Sequence, residues 1–237
     1  MKNRVVTILL LALLHACSES EKPKVVYPEE ETIKNDVVEK DTALVKIADL
    51  PVHIDSTNYL IHPIGEYQIY GDRSSYFSKS RYGSGSFVVS SKSGNELSGN
   101  IYNLKFEEIT SAKTRMLTDK NIRIKSVRFL FEVFEKTGAS YLIYRVLDKD
   151  TNGDNTLDGY DISSLYISNI DGTNFTKLTA EFHELIDWTA IPVKNRLYFR
   201  SIEDSNRNGD FDQEDKVSYE FIDLSDKEWK VRQYQPF

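Results

Sequence analysis

Leu165-Tyr166-Ile167-Ser168-Asn169-Ile170-Asp171-Gly172-Thr173-Asn174-Phe175-Thr176-Lys177-Leu178-Thr179 carries the punctuation that decides the fold. An apolar, β-branched and aromatic run comes first, an Asp-Gly pair interrupts it, and a shorter run follows. Asp171-Gly172 supplies the positive φ angles of a tight hairpin turn, so the stretch reads as two antiparallel strands. The rest of the chain has the same texture. Tyr (14) and Phe (12) are abundant, and apolar segments of four to eight residues end at Gly, Asn, Asp and Ser. Period-two alternation appears at Val127, Phe129, Phe131 and Val133, with Arg128 and Glu132 between, and again at Val217, Tyr219 and Phe221. Each such strand buries one face.

The segments also repeat. Ser86-Phe87-Val88-Val89, Tyr141-Leu142-Ile143-Tyr144 and Arg196-Leu197-Tyr198-Phe199 begin equivalent strands, with Phe87, Leu142 and Leu197 spaced 55 residues apart. A further strand follows each at Ile101-Leu104, Leu165-Ser168 and Ser218-Phe221, and a short final strand at Arg115-Thr118, Lys177-Thr179 and Lys230-Arg232. This predicts an all-β fold of antiparallel four-stranded units of about 55 residues, propeller-like, with three recognisable units. Residues 43–80 are a candidate fourth, irregular unit; the alternative is an open stack of sheets. The stretch 165–179 resembles the blade ending of TolB-like β-propellers, where an Asp-Gly turn joins two strands and Leu-Thr follows. Ala190-Ile191-Pro192-Val193 stands near the place where those blades carry Ser-Pro-Asp-Gly.

At the N-terminus, Lys2 and Arg4 precede an apolar run from Val5 to Leu14 broken only by Thr7. A membrane-spanning helix needs about 20 apolar residues, so residues 1–16 read as a secretory signal peptide. Leu14-His15-Ala16-Cys17 resembles the lipobox of bacterial lipoprotein precursors, with His15 unusual at its place. The resemblance implies cleavage before Cys17, lipid (palmitate-type acyl chains) on that cysteine, and an outer-membrane anchor on the periplasmic or cell-surface face. The alternative is an ordinary signal peptide with an incidental cysteine. Cys17 is the one cysteine in 237 residues, which excludes an internal disulfide framework. Removing residues 1–16 leaves 28 basic against 37 acidic residues, a net charge of −9. So acidic a chain offers no phosphate-neutralising face, and nucleic acid is not the expected partner. Residues 17–42, polar and acidic, read as a lipidated tether able to reach about 80 Å when extended. Residues 43–237 form the β-repeat domain.

Two acidic insertions lie between the second and third strands of the later units. Asp204-Ser205-Asn206-Arg207-Asn208-Gly209-Asp210-Phe211-Asp212-Gln213-Glu214-Asp215 places oxygen side chains at loop positions 1, 3, 5, 9 and 12, with glycine at 6. Calcium takes six to eight oxygens at about 2.3–2.6 Å, and glycine permits the sharp turn around it. Asp204, Asn206, Asn208, Asp212 and Asp215 are the expected side-chain ligands, with Asp210 offering its carbonyl. The loop resembles those of EF-hands, dockerins and thrombospondin type 3 repeats, with Asp in place of the closing Glu. The earlier loop, within residues 148–161, offers Asp148, Asp150, Asn152, Asp154 and Asp158; in that frame position 12 is Gly159, and closure falls to Asp158 or Asp161. The alternative is a pair of solvated acidic turns.

For catalysis, His53, His62 and His183 show no metal-ligand spacing, and no Gly-x-Ser-x-Gly elbow occurs. Glu181, His183, Glu184 and Asp187 beside Trp188 read as a polar loop preceding a strand. Residues 76–85 read as a long exposed loop, and Trp229 as sheet packing or a binding platform. The expected function is a lipid-anchored, calcium-loaded binding module for an envelope protein or glycan. The alternative is a surface hydrolase of polysaccharide or peptide built on paired carboxylates.

Overall fold

The computed structural model describes residues 23–27, 44–68 and 89–237. Among these residues, fifteen strands and one α-helix follow in chain order, with a 3-10 turn at Pro192–Lys194 before β13: β1 (Leu44–Ala48), β2 (Val52–His53), β3 (Tyr59–Gln68), β4 (Ser90–Ser93), β5 (Glu96–Ile101), β6 (Asn103–Glu108), β7 (Thr114–Met116), β8 (Arg123–Phe129), α1 (Phe131–Thr137), β9 (Tyr141–Leu147), β10 (Ser163–Asn169), β11 (Thr176–Lys177), β12 (His183–Ile191), β13 (Arg196–Glu203), β14 (Lys216–Asp223) and β15 (Arg232–Gln233). The first sheet has the order β1-β3-β6-β7 with β2 on β3, the second β11-β10-β9-β8-β5-β4, and the third β12-β13-β14-β15. The described ladders are antiparallel throughout. The protein is all-β in architecture, as its residue pattern predicts, and its sheets stand side by side like adjoining blades.

Side-chain alternation explains that arrangement. On β9, Leu142, Tyr144 and Val146 join Ile61, Leu104 and Phe106 of the first sheet in one core. Ile143, with Leu165 and Ile167 of β10, meets Leu197, Phe199 and Ile222 of the third sheet in a second core. The middle sheet is therefore covered on both faces, and successive residues of β9 and β10 are buried rather than alternately exposed.

Strands β8 to β11 and β12 to β15 are successive four-stranded meanders, and the 55-residue spacing of Leu142 and Leu197 marks their second strands. The first unit differs from the expected repeat. Phe87 lies outside the described residues, and Ile101-Leu104 is not one strand: Ile101 ends β5 in the second sheet, while Asn103 opens β6 in the first. Asn103 fixes the crossing, its Nδ2 donating to the Thr118 carbonyl at 2.6 Å and its Oδ1 accepting from Leu104 N–H at 2.8 Å. Residues 44–68 do not make a separate fourth unit either, since β3 pairs with β6, Ile61 opposite Phe106.

Two further expectations are corrected. The alternation from Val127 to Val133 is not one strand, because β8 stops at Phe129 and Phe131 and Val133 belong to α1. Leu130, Val133 and Phe134 share the i, i+3, i+4 spacing of a helix face, and Gly138, at φ 76°, ends the helix by donating its N–H to the Phe134 carbonyl at 2.8 Å. The segment read as a polar loop at 183–187 is the start of β12, paired with β13 from His183 opposite Glu203. Its polar side chains mark the edge of the third sheet.

At the hairpin of residues 169–173, Gly172 takes φ 76° and donates to the Asn169 carbonyl at 2.9 Å, while Asp171 accepts the Thr173 N–H at 2.9 Å. A Cβ at Gly172 would overlap the Phe106 ring. Gly172→Ala is expected to cost about 1–3 kcal/mol through overpacking and backbone strain, read as a lower urea midpoint with an unchanged slope.

Candidate functional site: paired acidic loops under an N-terminal strap

The β9–β10 and β13–β14 connections leave the same end of adjoining sheets, and backbone hydrogen bonds define how they correspond. Asp161 accepts from Thr151 N–H at 2.7 Å and from Asp158 N–H at 2.8 Å; Asp215 accepts from Ser205 N–H at 2.8 Å and from Asp212 N–H at 2.9 Å. Asn152 accepts from Asp154 as Asn206 does from Asn208, and Asp154 from Thr156 as Asn208 does from Asp210. Asp158 accepts from Tyr160 as Asp212 does from Glu214, and Asp150 from Asn155 as Asp204 does from Gly209. Positive φ angles match as well: Gly153 (73°) with Arg207 (57°), and Asn155 (62°) with Gly209 (89°). Each of these pairs is offset by 54 residues, so the equivalent twelve-residue loops are 150–161 and 204–215.

This frame moves the start of the first loop from Asp148 to Asp150 and gives it a closing carboxylate, Asp161. Asp148 is not gathered with the others. Its carboxylate accepts from Ser164 Oγ at 3.0 Å and Tyr166 OH at 2.7 Å and pairs with Lys177 at 2.8 Å, on the wall of a cleft of about 840 Å³ between the first and second sheets. The remaining sequence-predicted residues of each loop lie around a single turn of chain: Asp150, Asn152, Asp154 and Asp158 in one, and Asp204, Asn206, Asn208, Asp210, Asp212 and Asp215 in the other. Among the described residues, no three Asp, Glu, His or Cys side chains are already drawn together as a cation cage. The donor set is nonetheless one of hard oxygens, and each carboxylate keeps lone pairs beyond those its backbone donors use. Cys17 lies outside the described residues.

Burial raises the pKa of Asp161, which is fully buried, against the opposing pull of the Asp158, Thr151 and Asn152 N–H groups. Beneath the loops, burial likewise raises that of Glu220, while Ser201 and His183 pull it down. A carboxyl whose folded pKa is raised adds stability below its ordinary value of 4.5 and loses it as pH rises through the folded value. Glu220→Gln is therefore expected to be more stable than the native chain at about pH 8, with the difference shrinking toward about pH 5, in denaturant titrations across that range.

Part of the segment read as a tether lies on these loops. Lys24 and Val25 donate their N–H groups to the Gly209 carbonyl at 2.7 and 3.0 Å, and Val26 donates to the Thr151 carbonyl at 2.8 Å. Thr151 Oγ1 returns a bond to the Lys24 carbonyl at 3.1 Å, and Tyr27 OH donates to Asp204 Oδ2 at 3.0 Å. Val25 is 2% exposed. The Tyr27 hydroxyl is pushed up to about 12 by burial and then by Asp204. Pro23 and Val25 come so close to Gly209 that a Cβ there would meet both at 2.7 Å. Sequence reasoning missed this strap, whose one cue is the apolar pair Val25-Val26 in a polar stretch.

The polar cluster near Trp188 is held in structural contacts. Glu181 pairs with Lys177 at 3.0 Å, Glu184 with Lys24 at 2.9 Å and Asp187 with Arg200, and His183 Nδ1 lies 3.2 Å from Ser201 Oγ. Trp229 is buried edge-on against Tyr141, a packing role. Residues 76–85 lie outside the described set.

The fold and site define an antiparallel all-β protein with paired acidic loops at one end. No protein-family model matches the chain, and no curated protein matches it. Among solved structures, a chain assigned as a TolB from Agrobacterium tumefaciens matches at 10% identity over 79% of this chain and 80% of that one, with a TM-score of 0.24, an overlay too loose to carry an argument.

Proposed function

We propose that this protein is a lipid-anchored lipoprotein of a bacterial outer membrane, in which the paired loops take up calcium and the sheets present a binding surface to an envelope protein or glycan. The observation that carries the cation part is the shared hydrogen-bond scaffold of loops 150–161 and 204–215, which puts oxygen donors at positions 1, 3, 5, 9 and 12 of both. Asp150, Asn152, Asp154, Asp158 and Asp161 would hold one ion, and Asp204, Asn206, Asn208, Asp212 and Asp215 the other. Bound calcium would neutralise carboxylates that otherwise repel one another, so its uptake is coupled to the order of both loops. The lipoprotein part rests on Leu14-His15-Ala16-Cys17.

The test is a thermal melt in EDTA and in millimolar calcium. A rise of roughly 5–10 °C is expected once calcium stands at about 100 times its dissociation constant, equivalent to about 2.7 kcal/mol. Asp204→Ala should remove much of it, and an unmoved melt would refute the calcium reading. In cells, Cys17→Ser should shift the protein from the membrane to the soluble fraction. Affinity capture in calcium then searches for the partner.

A further inference from the structure

We infer that docking of residues 23–27 sets the height and attitude of the folded sheets above the membrane, holding the loop end close to the lipid and turning the opposite end outward. The inference rests on the lipid-anchor reading of Cys17. Pro23 is six residue steps from Cys17, with five residues between them, so with the strap docked the loops stand within about 20 Å of the acylated cysteine, the reach of that much extended chain. With the strap released, the next described residue is Leu44, 27 residues on from Cys17, and extended chain of that length reaches about 90 Å.

The strap is built for retention. It bonds to both loops at once, through the carbonyls of Gly209 and Thr151, and Val25 is buried there. Lys24 pairs with Glu184 on β12, and Arg207 lies over the Tyr27 ring at 5.5 Å. The far end of the sheets carries α1 and the 169–173 hairpin. It lies one strand length away, about 23 Å for seven residues, and is the end that faces an incoming partner.

The experiment uses the acylated full-length chain in phosphatidylethanolamine and phosphatidylglycerol vesicles containing nitroxide-headgroup lipid. Acylation blocks the thiol of Cys17, the sole cysteine, so a fluorophore attaches to Gln213→Cys at the loop end or to Lys136→Cys on α1. Mass analysis of the N-terminal peptide is read first; a peptide without lipid overturns the anchor reading and this inference with it. On acylated protein, quenching several-fold stronger at 213 than at 136 is the expected result, and equal quenching at both overturns the inference alone. Val25→Asp should abolish the difference. A long Gly-Ser insertion between Lys22 and Pro23 leaves the strap docked and should weaken quenching at 213; no change in that variant also overturns the inference.

Discussion

Asp161→Ala is expected to disorder the 150–161 loop and cost about 3 kcal/mol, because the backbone N–H groups of Thr151, Asn152 and Asp158 lose their acceptor where water does not replace it. The effect follows from the frame set by the hydrogen bonds. If the loop began at Asp148, position 12 would be Gly159 and Asp161 would lie outside it. Calcium titration separates the frames, since Asp161→Asn should abolish uptake by the first loop and Asp148→Asn should spare it. Loss of calcium uptake in Asp148→Asn with native uptake in Asp161→Asn would restore the earlier frame.

Phe199→Ala should cost about 3–5 kcal/mol, the range for truncating a fully enclosed aromatic. The ring sits in the core between the second and third sheets with Leu165, Ile167 and Leu185, so the loss separates two sheets as well as opening a cavity. For a domain of this size the melt should fall by roughly 6–20 °C. A fall of under about 2 °C would mean that the two sheets do not share a core.

Much of the architecture was legible because β9, β10, β13 and β14 announce themselves locally, by dense β-branched and aromatic residues between turn formers. The loop at 204–215 was legible in its full frame. The earlier loop was not, because its glycine sits at position 4 rather than 6. Matching Asn152-Gly153 to Asn208-Gly209 gives an offset of 56, two more than the backbone does. The spacing of Asp150 from Asp161, equal to that of Asp204 from Asp215, holds the missing signal. The two-turn helix α1 hid within a period-two pattern that three apolar positions cannot distinguish from a helix face. The strap was beyond local reading, since Val25 owes its burial to partners more than 120 residues away in sequence.

The hairpin of β4 and β5 leaves the first unit and completes the edge of the second sheet, beside β8. That exchange interlocks the first two units, whereas the third is a meander complete in its own strands, joined to the rest through a shared core, the strap and side-chain bonds such as Tyr141 OH to the Leu224 carbonyl. The molecule is therefore unequally modular. Hydrogen exchange will open the third sheet as its own foldon, while the first and second open together. In descent, a duplication or loss of the last unit leaves the others whole, but no cut between the first two yields a complete sheet.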